Sequence, residues 1–183
     1  MRLIKKQIIK ILGKKVLKNN LHHNKIKKIL IETLGAQIGD CVVLSPFLES
    51  LSKINKKIKI DIIVKENSME ILKYYPYIEN IYPYRKYKNK ILRYIYGVYF
   101  ALRNRSKYDL IISFENGINT FHILWLKLLK AKCLMSSHKK IKFEIREEEL
   151  GIIDYYFEDK EEILKKLNLK NTGGGVYFIS RSI

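Results

Sequence analysis

The sequence predicts an α/β domain: a parallel sheet covered by helices on both faces. Short apolar runs of strand length recur along the chain, and each is followed by a stretch with helical spacing. The chain has 183 residues, 47% of them hydrophobic, which is long enough for one domain with a proper core and short for two. Strands that alternate with helices build a sheet whose two faces are both buried.

The elements follow in order. Lys28 to Thr33 is a short apolar run and reads as a buried first strand. Leu34 to Gly39 reads as a glycine-bracketed loop, and Asp40 as the N-cap of a helix running through Val43, Phe47, Leu48 and Leu51. Pro46 lies inside that helix, which implies a kink or a late start. Lys59 to Val64 is a second strand, Met69 to Tyr75 a short helix stopped near Pro76, and Asn80 to Tyr84 a short strand. Asn89 to Arg105 is a long helix rich in Tyr and Arg. Leu110 to Phe114 is another buried strand, followed by the polar loop Glu115 to Asn119. Thr120 to Leu129 is a helix and Lys132 to Ser136 a strand. Glu147 to Leu167 reads as an acidic, Tyr-containing helix or connector. The run Gly173-Gly174-Gly175 and the apolar burst Val176 to Ile179 read as a linker and the first strand of a second domain, or as an ordinary frayed tail. The expected divisions are therefore a lead segment at 1–24, a domain at 25–145, and a connector at 146–183.

The formal charge is +18, which suits nucleic acid, an anionic membrane surface or a phosphorylated substrate. A second account stays open. Only seven of the 36 basic residues are Arg, and a chain crowded with Lys, Ile, Asn and Tyr owes part of its lysine to A/T-rich codons. Codon bias does not explain clustering. Residues 1–30 carry ten basic residues and no acid, with Ile4, Ile8, Ile11, Leu12 and Val16 at helical spacing. That is a basic amphipathic helix, either lying on an anionic membrane or packed on the domain with a solvated lysine face. Cys41 and Cys133 are far apart and flanked by apolar residues, so they form neither a disulfide framework nor a metal site, and a reducing cytoplasm is the default compartment. No apolar run approaches the roughly 18–20 residues of a spanning helix. The N-terminus lacks the uninterrupted apolar core of a signal peptide.

Gly35-Ala36-Gln37-Ile38-Gly39-Asp40 is not a Walker A loop, because no Gly-Lys-Ser/Thr follows, and it does not match the dinucleotide fingerprint. It is a strand-to-helix turn whose amides could face an anion. Spacing alone leaves Asp40 as a plain N-cap or as a functional carboxylate.

Residues 28 to 51, with Ile38-Gly39-Asp40 at their centre, resemble the opening of glycosyltransferase family 9, the heptosyltransferase family. Tyr75-Pro76-Tyr77-Ile78-Glu79-Asn80 resembles that family's "NPYID" region, and Tyr108-Asp109-Leu110-Ile111-Ile112 its "YDLVI" strand. Order and spacing together cover roughly residues 26 to 138. The resemblance implies two Rossmann-like domains with the active site between them. The first domain, this chain, would hold the acceptor. The second would bind a nucleotide sugar of the ADP-heptose type. No other cofactor and no metal are implied.

On this resemblance Asp40 is the general base, Gly35 and Gly39 shape the acceptor-site loop, and Glu115 and Asn116 are candidate acceptor contacts. Two departures stand out: the loop is one residue longer than the common form, and Ser113 replaces the Asp that many members carry after the "YDLVI" strand. The acceptor would be a phosphorylated, lipopolysaccharide-type glycolipid at the inner face of the bacterial inner membrane, which gives the basic character a use. Alone, an acceptor-side half would be inactive. The alternative is a non-catalytic basic module on anionic membrane or nucleic acid, although no recognised nucleic-acid motif is present.

Overall fold

The computed structural model describes residues 26–33, 38–53, 57–84, 88–114, 120–137, 155–157 and 160–167. Six parallel strands, β1 (Lys28–Glu32), β2 (Lys59–Val64), β3 (Ile78–Pro83), β4 (Leu110–Ser113), β5 (Cys133–Ser137) and β6 (Tyr155–Phe157), form one sheet in the order β3-β2-β1-β4-β5-β6. This is the Rossmann-like order. The helices are α1 (Ile38–Ser52), α2 (Met69–Leu72), α3 (Lys90–Arg103), α4 (Thr120–Leu129) and α5 (Lys160–Lys166), with a 3-10 turn at Glu66–Ser68.

Period-two alternation along each strand divides the core into two layers. Ile29 and Ile31 of β1 pack with Leu44, Phe47, Leu48 and Leu51 of α1 and with Ile163 and Leu164 of α5. Leu30, between them, faces the other way and packs with Phe100 of α3 and Ile123, Leu126 and Leu129 of α4. Helices α3 and α4 sit close together. A Cβ on Gly97 would lie 3.0 Å from the ring of Phe121, so the absent side chain is what admits the neighbouring helix. Phe100 stacks on Trp125 with ring centroids 6.0 Å apart.

Four expectations change. Helix α1 begins at Ile38, so Gly39 lies within the helix and Asp40 is in its first turn rather than at the N-cap. Pro46 does not delay the helix, which continues through it. The carbonyl that the missing amide of Pro46 would have satisfied is that of Val42, and Ser45 Oγ donates to it at 2.6 Å. Ser50 Oγ likewise donates to the Pro46 carbonyl at 2.9 Å. The expected helix from Met69 to Tyr75 is only the four residues of α2, preceded by the 3-10 turn. Part of the segment read as a connector is built into the domain: β6 pairs with β5, and Ile163, Leu164 and Leu167 are in the core. The basic lead segment at 1–24 and the run from Gly173 onward lie outside the described residues.

The amino-terminal edge of the sheet is fastened by charge. Asp109, just before β4, accepts from the amides of Lys27 at 2.8 Å and Lys28 at 3.0 Å and pairs with Lys132 Nζ at 2.6 Å. Asp61, fully buried in β2, accepts from the Tyr108 hydroxyl at 2.8 Å and Asn80 Nδ2 at 2.9 Å, with Lys28 Nζ at 3.2 Å. Lys28 and Lys59 both reach Glu79. Tyr108, Asp109 and Glu79, all within the motif-like stretches, thus tie strands together. Burial alone would raise the Asp109 carboxyl, but Lys132 and the two backbone amides outweigh it and hold the group below its ordinary value of 3.8.

A carboxylate held low contributes stability that is present above its unfolded pKa and is lost as pH falls through the folded one. Asp109→Asn is expected to cost about 1–2 kcal/mol at neutral pH, mostly through the amide bonds, since Lys132 is well exposed. In urea melts the difference between wild type and variant should shrink below pH 3.8. A constant difference down to pH 2 would contradict the assignment.

Candidate functional site at the carboxyl edge of the sheet

From β1 the chain winds outward to β2 and β3; from β4 it winds the other way to β5 and β6. Neighbours β1 and β4 therefore mark the reversal, and the crevice beyond their carboxyl ends is where open parallel sheets bind ligands. The sequence-predicted loops leave from these two ends. Gly35, Glu115 and Asn116 lie outside the described residues; Gly39 and Asp40 are placed, and both are exposed.

Asp40 stands on the first turn of α1. Among the described residues, a Cβ on Gly39 would meet nothing within 4 Å. Gly39 therefore serves no close packing there; it leaves the backbone beside Asp40 open to an approaching molecule.

Lys160, the first residue of α5, is buried, and its Nζ donates to the Val43 carbonyl of α1 at 3.0 Å. Burial pushes its pKa down to about 8, partly opposed by the charge of Asp40. The ammonium thus couples α5 to the turn that carries Asp40. The composition of the connector contained no signal for this contact, because the partner is a backbone carbonyl 117 residues away.

Across the sheet a second polar group sits under the crest. Glu32 ends β1, Ser113 ends β4 opposite it, and Ser136 lies opposite Ser113 in β5. All three are buried. Glu32 Oε2 lies 2.8 Å from His122 Nε2, in the first turn of α4, and both side chains are inaccessible. Glu32 Oε1 has no hydrogen-bond partner among the described residues. A carboxylate is costly to bury unless it is paired, and here the imidazole and the amino end of α4 stand beside it. Glu32 is the last residue of an apolar central strand and His122 lies in an apolar helix; both are anomalies of pattern that mark a polar core site. Among the described residues, no group of three or more His, Cys, Asp or Glu could hold a metal ion.

No protein-family model matches the chain, and no curated protein does. Solved structures do. A family 9 glycosyl transferase from Veillonella parvula superposes with a TM-score of 0.60 at 19% identity, covering 80% of this chain and 42% of that one. The E. coli heptosyltransferase WaaC, solved with ADP, superposes with a TM-score of 0.53 at 17% identity, covering 80% of this chain and 49% of that one. The fold is shared with family 9 glycosyltransferases. The chain spans slightly less than half the length of these structures.

The contact between α5 and α1 has a measurable consequence. Lys160 titrates near 8 when folded and near 10.5 when unfolded, so between these values the unfolded state binds more protons and stability rises with pH. In melts from pH 7 to 11, the stability of wild type relative to Lys160→Met should rise across that window. A flat difference would show that the ammonium is solvated.

Proposed function

We propose that this chain is the acceptor-side half of a family 9-type glycosyltransferase, with Asp40 as general base. One observation carries the reading: a fold shared with two such structures presents Asp40, exposed, on the helix that follows the central strand. The donor would be a nucleotide sugar of the ADP-heptose type, bound by a second, donor-side domain. The acceptor would be a phosphorylated, lipopolysaccharide-type glycolipid at an anionic membrane surface. No other cofactor and no metal enter the reading.

In the reaction the acceptor hydroxyl attacks the anomeric carbon and a new C–O bond forms. The bond from that carbon to the nucleoside diphosphate breaks, and its electron pair leaves with the phosphate. The hydroxyl proton passes to Asp40, which requires its carboxylate within about 3 Å of the acceptor oxygen. Attack opposite the leaving group inverts the anomeric centre. Gly39 gives the acceptor room beside the base. Lys160 fixes the turn on which the base sits. Glu115 and Asn116 would meet the acceptor from the loop after β4. An acceptor-side half by itself would be inactive.

Two titrations of the full chain test this. A lipopolysaccharide-type acceptor should bind saturably, and Gly39→Leu, which fills the open space beside Asp40, should weaken it. ADP-heptose should not bind. In a transferase formed by adding the donor domain of a relative, Asp40→Asn should lower kcat by about 100-fold or more with little change in acceptor affinity. Tight ADP-heptose binding by this chain, or full activity of Asp40→Asn, would overturn the reading.

A further inference from the structure

Helix α3 has two unlike sides. Its inward side carries Phe100, Ala101 and Asn104, all buried. The outward side of a surface helix is ordinarily polar. Here it carries Ile91, Leu92, Ile95, Tyr99 and Leu102, all exposed. Positions 91, 95, 99 and 102 follow the i, i+4, i+8, i+11 spacing of a single stripe. Ile91 is 68% exposed, Ile95 59% and Leu102 51%, so the aliphatic groups project into solvent rather than lying along the surface. A stripe of this kind marks an interaction site.

Charge identifies the occupant. From Asn80 to Tyr108 there is no acidic residue, while Arg85, Lys86, Lys88, Lys90, Arg93, Arg103, Arg105 and Lys107 supply eight positive charges. Arg103 is held against the stripe: its guanidinium donates to the Tyr99 hydroxyl at 2.9 Å and lies 6.0 Å from that ring. An apolar stripe with an arginine and a tyrosine at its edge, in an acid-free basic stretch of sequence, is the pattern of a helix lying in a lipid interface. A second copy of the chain, at +18, would meet it with like charge, and so would the acid-free lead segment. Nucleic acid would satisfy the arginines and leave the isoleucines and leucines exposed to water.

We propose that the outward face of α3 is the surface by which this chain docks on an anionic phospholipid membrane, with the stripe at the acyl boundary and the arginines among the phosphates. The proposal deepens the membrane part of the proposed function and rests on it. It places the lipid against the layer of α3 and α4, on the opposite side of the sheet from α1.

The test uses the full chain and vesicles of phosphatidylcholine with or without phosphatidylglycerol. The native cysteines, Cys41 and Cys133, are both buried, so a cysteine introduced at Ile95→Cys can be labelled with an environment-sensitive fluorophore. Lys53→Cys, exposed on the α1 side, is the control. Anionic vesicles should brighten and blue-shift the label at 95 and leave the label at 53 unchanged. Arg103→Gln should weaken vesicle binding about fivefold. Vesicle pelleting with a silent label at 95 would overturn the α3 assignment while leaving the membrane reading intact. No pelleting on anionic vesicles would overturn both. A response at 95 to duplex DNA and not to vesicles would assign the face to nucleic acid instead.

Discussion

Parallel strands cannot be joined by a tight turn, so each step across this sheet needs a crossover, and the direction of those crossovers reverses once. The reversal falls between β1 and β4. The proposed acceptor site depends on that place. It brings the carboxyl ends of two non-consecutive strands side by side and sends the loops after them apart, which leaves a crevice at the crest. Asp40 enters from the α1 face and the Glu32–His122 pair lies beneath the crest toward the α4 face. Neither would be near a cleft if the strand order were sequential.

The two edges of the sheet are built differently. At the amino-terminal edge, carboxylates are matched to lysines and backbone amides: Asp109 to Lys132 and two amides, Glu79 to Lys28 and Lys59. Such pairing joins neighbouring strands and has little left to offer a ligand. At the carboxyl edge the groups are differently disposed. Asp40 faces solvent, Gly39 leaves its backbone accessible, and Glu32 keeps one buried oxygen without a partner among the described residues. Ion pairing is concentrated at one edge and the proposed chemistry at the other, a division that suits a rigid scaffold carrying a reactive site.

Much of this was legible in the residues. The strand from Lys59 to Val64 and the helix from Thr120 to Leu129 coincide with their apolar periods, because nothing local competes with the pattern. The start of α1 did not, because a glycine and an aspartate both favour turns and caps, and burial of Cys41, Leu44 and Leu48 overrode that preference. Of the two readings of Pro46, the late start is excluded, because the helix runs through it and a serine hydroxyl meets the carbonyl left without an amide. Asp40 was singled out through family likeness; spacing alone left it as an N-cap or a functional carboxylate, and it lies in the first helical turn. Lys160 was not legible, since it is buried by tertiary packing against a carbonyl. Glu32 and His122 were missed; the signal available for them was a violation of pattern, a charge at the end of an apolar strand and an imidazole in an apolar helix.

The central claim is that the carboxyl ends of β1 and β4, with Asp40 beside them, form the face that meets the acceptor. Amide NMR of the labelled chain during titration with a water-soluble phosphorylated acceptor sugar tests it directly. The account predicts saturable shifts at Thr33, Gly39, Asp40 and Phe114, with Lys28, Lys59 and Asp109 at the opposite edge unmoved. Shifts confined to that opposite edge, or spread evenly over exposed lysines, would contradict it.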